Sequence, residues 1–377
     1  MWYNRPRVHA SPAAPRILRK SIVNRIALPL FLFALFWVST SCDVGPRLPT
    51  PVPVTQTPNA PLLIAPTLLP TLPLTLSPTI APTALSPTAI PTVPPETFGR
   101  VDRDVTYCTA AAVHLKMDVY YPLKVTNRPA PVVVDIHGGS WSAGDKTKSE
   151  TMGDIPELLK HGYLVVAVNY RLAPEYKFPA QIQDVKCAVR YLRAQSAKYD
   201  IDPNRIGALG CSAGGNLAAL LGLTEGVAEF EGNGDYAEHS SRVQAVVALS
   251  APADFTLTSY NITHDKVFVR VFGATSNNDP ILKHFSPVTY VSKSAAPFFI
   301  LGGDQDETVP LQQSEELARH LNQAGGSASL QVVKNAHHCM PDASPPMEPS
   351  RQEITRLIAS FFDRELARPP SSTERPK

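Results

Sequence analysis

The chain has 377 residues, of which 44% are hydrophobic, and its formal net charge is +2. A chain of this length and hydrophobicity can bury one large core, so we expect one principal domain with tails. Beyond residue 42 the chain carries 29 basic and 33 acidic residues. This balance excludes the basic surface that nucleic-acid phosphates require, and no nucleic-acid partner is expected.

Residues 1–42 have the order of a secretory signal. Six basic residues and no acidic ones precede an apolar stretch at 26–38, which is followed by small residues ending at Cys42. A helix needs about 20 residues to span a bilayer, so this stretch favours a cleaved signal. A cysteine at this position resembles a bacterial lipoprotein signal, which predicts a lipid on Cys42, export, and membrane anchoring at the cell surface or in the periplasm. An ordinary cleaved signal and an uncleaved anchor are the alternatives.

Residues 43–96 differ sharply in composition. Fifteen of the chain's 38 prolines lie here, interleaved with Thr, Ser, Leu and Ala. Frequent prolines prevent helix and sheet and favour extended polyproline conformation. We therefore predict a disordered Pro/Thr-rich stalk that holds the following domain away from the membrane.

Residues 97–366 alternate between short apolar runs and segments of helical period, and residues 367–377 read as a flexible tail. Helical spacing of apolar residues occurs at 182–192, 317–321 and 354–362. This alternation predicts an α/β domain with a mostly parallel central sheet and helices on both faces. The predicted strands are 132–136, 164–169, 206–209, 245–249, 298–301 and 330–333.

The sequence GCSAG at 210–214 lies between the predicted strand 206–209 and a helical run at 216–221. A nucleophilic serine needs this context, because a sharp turn lifts its hydroxyl above the sheet and small neighbours let strand and helix approach. The helix N-terminus also favours developing negative charge. The motif predicts Ser212 as a nucleophile.

The sequence HGGSW at 137–141 follows the predicted strand 132–136. Acyl transfer creates an oxyanion that preorganised N–H groups stabilise. We expect those donors to be the N–H groups of Gly138, Gly139 and Ala213, with an ordinary glycine turn as the alternative. Ser140 and Trp141 are candidates for substrate contact or for packing.

A base and an acid to orient it should follow in the order Ser, Asp, His. Three carboxylates lie in the sequence GGDQDETVP at 302–310, and a histidine pair lies in NAHHC at 335–339. Each segment follows a predicted strand, where parallel sheets place their active sites. Adjacent histidines beside Cys339 are poorly placed to chelate one ion, and no metal or cofactor is expected. The residue pattern alone leaves open which carboxylate and which histidine act.

Four cysteines lie in the domain: Cys108, Cys187, Cys211 and Cys339. Export permits disulfides, and four cysteines allow three pairings. Cys187 falls on the apolar face of a predicted helix and is expected to be a buried, unbonded residue. The predicted active site would bring Cys211 towards Cys339, but proximity does not establish a bond, and the sequence prediction leaves them unpaired.

Taken together, residues 105–362 resemble bacterial α/β-hydrolase esterases of the feruloyl-esterase-like and hormone-sensitive-lipase-like groups. The resemblance rests on the motifs above and on NYRLAPE at 169–175, FPA at 178–180 and DPNRI at 202–206. It implies Asp306 as the acid and His338 as the base, with Asp304 and His337 as alternatives. It also implies a cofactor-free carboxylesterase that forms an acyl-enzyme on Ser212, acting on acetyl or feruloyl esters of polysaccharides or on small esters.

Two other functions are weighed against this one. A serine peptidase of the prolyl-oligopeptidase type uses the same catalytic unit but usually adds a propeller domain, and no repeat is visible to build one. A non-catalytic surface binding protein could keep the fold without the chemistry. The complete Ser, Asp and His set argues against that alternative.

Overall fold

The computed structural model describes residues 93–124, 128–257, 266–342 and 344–366. The predicted signal segment with Cys42, nearly all of the predicted stalk, and the predicted tail lie outside the described residues. Within the described ranges, no helix has both the length and the apolar character needed to cross a membrane.

An eight-stranded sheet forms the centre of the described region, in the order β1-β2-β4-β3-β5-β6-β7-β8. The first two strands join antiparallel at one edge, and the strands from β4 to β8 run parallel. This arrangement confirms the predicted mostly parallel sheet, and all six predicted strands are present. The strands are β1 (Arg100–Ala110), β2 (Val113–Tyr121), β3 (Ala130–Ile136), β4 (Leu164–Val168), β5 (Ile201–Cys211), β6 (Ala245–Leu249), β7 (Phe298–Gly303) and β8 (Ala328–Val333).

Helices cover both faces of the sheet, as predicted. Alternating residues of β3 enter different cores. Val132 and Val134 belong to the same hydrophobic core as the helices Ala180–Ala194, Ala213–Leu223 and Gln312–Gln323, whereas Val133 belongs to the core that contains the helices Ile155–Lys160 and Arg351–Leu366. The helices are α1 (Ile155–Lys160), α2 (Ala180–Ala194), α3 (Ser196–Tyr199), α4 (Ala213–Leu223), α5 (Ala228–Glu231), α6 (Lys266–Phe272), α7 (Pro280–His284), α8 (Gln312–Gln323) and α9 (Arg351–Leu366). Short 3-10 helices span Pro95–Thr97, Met152–Asp154 and Pro287–Tyr290.

The hairpin of β1 and β2 was not predicted from the sequence. Its turn consists of Ala111 and Ala112, both with positive φ, at 48° and 62°. Such turns usually carry Asn-Gly or Asp-Gly, which are the recognisable signal. Two alanines give no such signal, and β1 is too exposed to read as an apolar run.

Two disulfides lie in the described region. Cys108 on β1 is bonded to Cys187 on α2, with Cα atoms 6.4 Å apart, and Cys211 is bonded to Cys339, with Cα atoms 5.8 Å apart. The prediction that Cys187 is unbonded is therefore wrong, because the apolar face of α2 packs against a strand that the sequence did not reveal. The sequence prediction also left Cys211 and Cys339 unpaired, and the structure corrects this, because the two residues are bonded to each other.

Candidate active site

Ser212 lies at the sharp turn between β5 and α4. Its backbone has φ 57° and ψ −125°, its N–H donates to the carbonyl of Leu249 at 3.0 Å, and the residue is 9% exposed. A positive φ is unfavourable for a residue with a side chain and persists only where the surrounding structure enforces it. This is the conformation that presents a serine hydroxyl above a sheet.

The glycines around Ser212 are required by close backbone contacts. A Cβ at Gly214 would lie 2.0 Å from the carbonyl oxygen of Ile136, and one at Gly210 would lie 2.5 Å from the backbone of Gly214. No side chain fits at these distances. The glycine motif therefore brings the start of α4 directly against the end of β3.

Asp306 and His338 form a hydrogen-bonded pair. Nδ1 of His338 lies 2.9 Å from Oδ2 of Asp306, whose side chain is fully buried, while the His338 side chain is 26% exposed. Oδ1 of Asp306 accepts the N–H groups of Thr308 at 3.0 Å and Val309 at 2.8 Å.

The charge state of Asp306 follows from these contacts. Burial acts to raise the pKa of its carboxyl, but the hydrogen bonds from His338 and Val309 outweigh burial and lower that pKa below its ordinary value. A charged Asp306 keeps the proton of the imidazole on Nδ1 and leaves Nε2 free to accept one.

The alternative residues do not join this pair. Asp304 is exposed, and its N–H donates to the carbonyl of Val333 at 3.1 Å. His337 is also exposed, with Nδ1 3.1 Å from the carbonyl of Gln305. The geometry thus brings together Asp306 and His338 and places their sequence neighbours outside.

The glycine loop after β3 differs from its predicted arrangement at one residue. The N–H of Gly138 donates to Oε2 of Glu150 at 2.9 Å, so its proposed role as an oxyanion donor does not fit this geometry. The N–H groups of Gly139, Ser140 and Ala213 have no acceptor among the described residues. These three donors are available for an oxyanion, and Glu150 is a contact that no sequence motif indicated.

Trp141, one of the two candidates for substrate contact, is packed in the core. Its side chain is buried and its ring meets Phe255 and Phe272 edge-on, with centroids 5.9 Å and 5.3 Å away. Its Nε1 has no hydrogen-bond partner within the described part of the chain. Ser140, in contrast, is exposed and has a positive φ of 52°. Ser140 is the better placed of the two to meet a ligand.

Ser250 is a site residue that sequence analysis missed. It follows β6, is buried, and its hydroxyl helps to lower the pKa of the Asp306 carboxyl. Its Oγ also accepts the N–H of Cys339 at 3.3 Å. The Ser250 hydroxyl therefore acts on Asp306 and is bonded to the loop that carries His338. Its position just past a predicted strand was the only signal available in the sequence.

The described residues contain no group of three or more His, Cys, Asp or Glu side chains arranged to hold a metal ion. Cys339, considered with the two histidines as a ligand, is bonded to Cys211.

Residues 117–321 match the model of the BD-FAE family. Among curated proteins, esterase LipQ of Mycobacterium tuberculosis is 33% identical over 217 residues, covering 56% of this chain and 50% of that protein. The probable carboxylic ester hydrolase LipM of the same organism is 35% identical over 201 residues, covering 52% of this chain and 45% of that protein. The chain thus spans about half the length of these relatives.

Solved structures extend the likeness to most of the folded region. A truncated carbohydrate esterase from gut microbiota aligns with a TM-score of 0.66 and 30% identity, covering 74% of this chain and 100% of that one. An acetyl ester-xyloside bifunctional hydrolase from Caldicellulosiruptor lactoaceticus aligns with a TM-score of 0.56 and 25% identity, covering 68% and 90%. Together with the sheet order, these alignments confirm the predicted α/β-hydrolase fold.

Proposed function

Because this chain belongs to the BD-FAE family of α/β-hydrolase esterases, we propose that it is a serine carboxylesterase in which Ser212 is the nucleophile, His338 the base and Asp306 the acid. The observation that carries the proposal is the hydrogen-bonded Asp306–His338 pair, which a disulfide between flanking residues joins to the Ser212 turn. A buried carboxylate, an imidazole with a free Nε2 and a serine at a helix N-terminus are the groups that acyl transfer needs.

The reaction proceeds in two steps. Nε2 of His338 takes the hydroxyl proton of Ser212 while Oγ attacks the ester carbonyl, and the oxyanion binds the free N–H groups of Gly139, Ser140 and Ala213. The intermediate collapses, the alcohol leaves with the proton from His338, and an acyl-enzyme remains. Water then gives a proton to His338 and attacks the acyl carbon. As this second intermediate collapses, His338 returns the proton to Oγ of Ser212 and the acid leaves.

For the substrate, we propose acetyl or feruloyl esters on polysaccharides, with small esters as the alternative. The similar structures include a carbohydrate esterase and an acetyl ester-xyloside bifunctional hydrolase. Exposure at a cell surface would give such an enzyme access to polymeric substrates.

The test of the activity is hydrolysis of p-nitrophenyl esters of increasing acyl length, and of acetylated xylan and methyl ferulate, by the full chain. Ser212→Ala and His338→Ala should each lower kcat by about 10³-fold or more. His337→Ala is the matched control, because His337 is adjacent but lies outside the pair, and it should retain activity. Hydrolysis that survives in Ser212→Ala would contradict the proposal, and cleavage of a peptide amide but no ester would indicate a peptidase.

We further propose that the chain is exported and anchored by a lipid on Cys42, with residues 43–96 as a stalk. The support is the signal-like order of residues 1–42 and the presence of two disulfides, which persist in oxidising compartments. Growth with an alkynyl fatty acid should label the wild-type chain and not Cys42→Ser. Equal labelling of both would contradict lipidation at this residue.

A further inference from the structure

The disulfide between Cys211 and Cys339 flanks both proposed reacting residues. Cys211 directly precedes Ser212, and Cys339 directly follows His338. The bonded residues are 128 positions apart in sequence, and their Cα atoms are 5.8 Å apart. A covalent link therefore joins the nucleophile turn to the base loop at the residues next to the reacting side chains.

The two ends of this link differ in rigidity. Cys211 is fully buried at the end of β5, where it pairs with Leu249 of the neighbouring strand. Cys339 lies in the loop after β8, beyond the last ladder pair of the sheet at Val333. The disulfide thus ties a loop to the centre of the sheet.

The loop that carries His338 has an unfavourable backbone. Asn335, Cys339 and Met340 all have positive φ, at 55°, 59° and 58°, although none of them is glycine. Such conformations persist only where surrounding contacts enforce them. Hydrogen bonds from the N–H of Cys339 to Ser250 and from the N–H of Met340 to the carbonyl of His337 contribute, but the disulfide is the one covalent constraint among the described residues of this loop.

We propose that the Cys211–Cys339 disulfide is a positioning element for catalysis, which holds Nε2 of His338 in reach of Ser212. The inference rests on the proposed function. Without the disulfide, the strained loop can relax while the Asp306–His338 hydrogen bond remains formed. The domain then stays folded, but proton transfer from Ser212 slows. A displacement of about 1 Å at a reacting group can cost about 10²-fold in rate.

The first test compares Cys211→Ser/Cys339→Ser with Cys108→Ser/Cys187→Ser in the full chain. The second pair is the matched control, because it removes a disulfide that joins β1 to α2 and does not flank a reacting residue. In the Cys211→Ser/Cys339→Ser variant, kcat on p-nitrophenyl acetate and the rate of fluorophosphonate labelling of Ser212 should each fall by about 10- to 100-fold. The KM should change by less than about threefold. The control pair should keep the wild-type kcat while losing thermal stability.

A second measurement covers the case in which the first variant does not fold. In the Cys108→Ser/Cys187→Ser chain, dithiothreitol is used to reduce the remaining Cys211–Cys339 disulfide. The reagent closes to its own cyclic disulfide, and Cys211 and Cys339 each gain a hydrogen. The kcat should fall in proportion to the fraction of chains in which both cysteines are reduced, as counted by alkylation of a separate aliquot, and circular dichroism should stay unchanged. In a sample that has not been alkylated, kcat should return on reoxidation.

Three results would overturn the inference: full reduction with an unchanged kcat, a folded Cys211/Cys339 variant with wild-type kcat, or loss of kcat only in parallel with unfolding. A wild-type chain that neither hydrolyses esters nor reacts with fluorophosphonate would instead overturn the proposed function itself.

Discussion

Replacement of Asp306 by Asn is the sharpest test of how the histidine is held. Oδ1 of Asp306 accepts the N–H groups of Thr308 and Val309 and lies 3.1 Å from Nδ1 of His338, while Oδ2 is nearer to that nitrogen, at 2.9 Å. In Asp306→Asn the amide oxygen must keep the position of Oδ1, because two N–H donors meet there. The amide NH2 then points at Nδ1, which can only accept, and the imidazole proton moves to Nε2.

That tautomer cannot take the proton of Ser212, so we expect kcat to fall by about 10⁴-fold, equivalent to about 5 kcal/mol of lost transition-state stabilisation. KM should change little, since the substituted group lies behind the histidine and does not face substrate. The assay is steady-state hydrolysis of p-nitrophenyl acetate near neutral pH, beside thermal unfolding of each variant.

Asp304→Asn is the matched control for this substitution, since it makes the same chemical change in the same loop on an exposed side chain. It should leave kcat within about twofold of the wild type. A folded Asp306→Asn enzyme with kcat within about tenfold of the wild type, or a loss of the same size in Asp304→Asn, would refute this account of the site.

Three further predictions concern Asp135, Glu150 and the Cys108–Cys187 disulfide. Burial raises the pKa of Asp135 from 3.8 to about 7. The folded state therefore holds this proton more tightly than the unfolded state, and the stability of the wild type falls as pH rises between those two values. In urea titrations between about pH 4 and 8, Asp135→Asn should gain up to about 4 kcal/mol in free energy of unfolding relative to the wild type. A difference in free energy of unfolding between the variant and the wild type that stays constant across that pH range would contradict the raised pKa of Asp135. Glu150→Ala removes the acceptor that fixes the N–H of Gly138 and should lower kcat by about tenfold, whereas Glu150→Gln, which keeps an acceptor, should restore most of it; equal losses would indicate a need for charge. Loss of the disulfide that closes a separation of 79 residues in Cys108→Ser/Cys187→Ser should lower the free energy of unfolding by about 3 to 4 kcal/mol, and unchanged urea midpoints would refute this.

The parallel part of the sheet was predictable because its strands are buried on both faces. Strands β3, β4 and β6 are buried along their whole length and therefore appear in the sequence as apolar runs, interrupted in β3 only by Asp135. The antiparallel edge was not predictable for the opposite reason. Only two of the eleven residues of strand β1 are buried, so the strand has no continuous apolar pattern. Missing this edge strand also hid the partner of Cys187.

The free N–H groups of the glycine loop could not be predicted from the motif alone. The sequence HGGSW identifies a loop whose backbone lies close to the turn at Cys211 and Ser212, but it does not say which N–H groups remain free. Gly138 is bonded to Glu150, twelve residues away in sequence, and the contact depends on the path of the chain between them. A tertiary contact of this kind leaves no local pattern.

The choice between Asp304 and Asp306 had a local signal after all. Asp306 accepts the N–H groups of the second and third residues after it, Thr308 and Val309, which is the pattern of an Asx turn. An aspartate that forms such a turn has one oxygen fixed by backbone and the other oxygen directed by the same constraint. Asp304 has no such bonds from the residues that follow it in the described chain, and its side chain is exposed. The proposed acid, Asp306, is therefore distinguished by the turn that follows it, and the Asp-Glu-Thr-Val-Pro segment encodes both the carboxylate and its orientation towards His338.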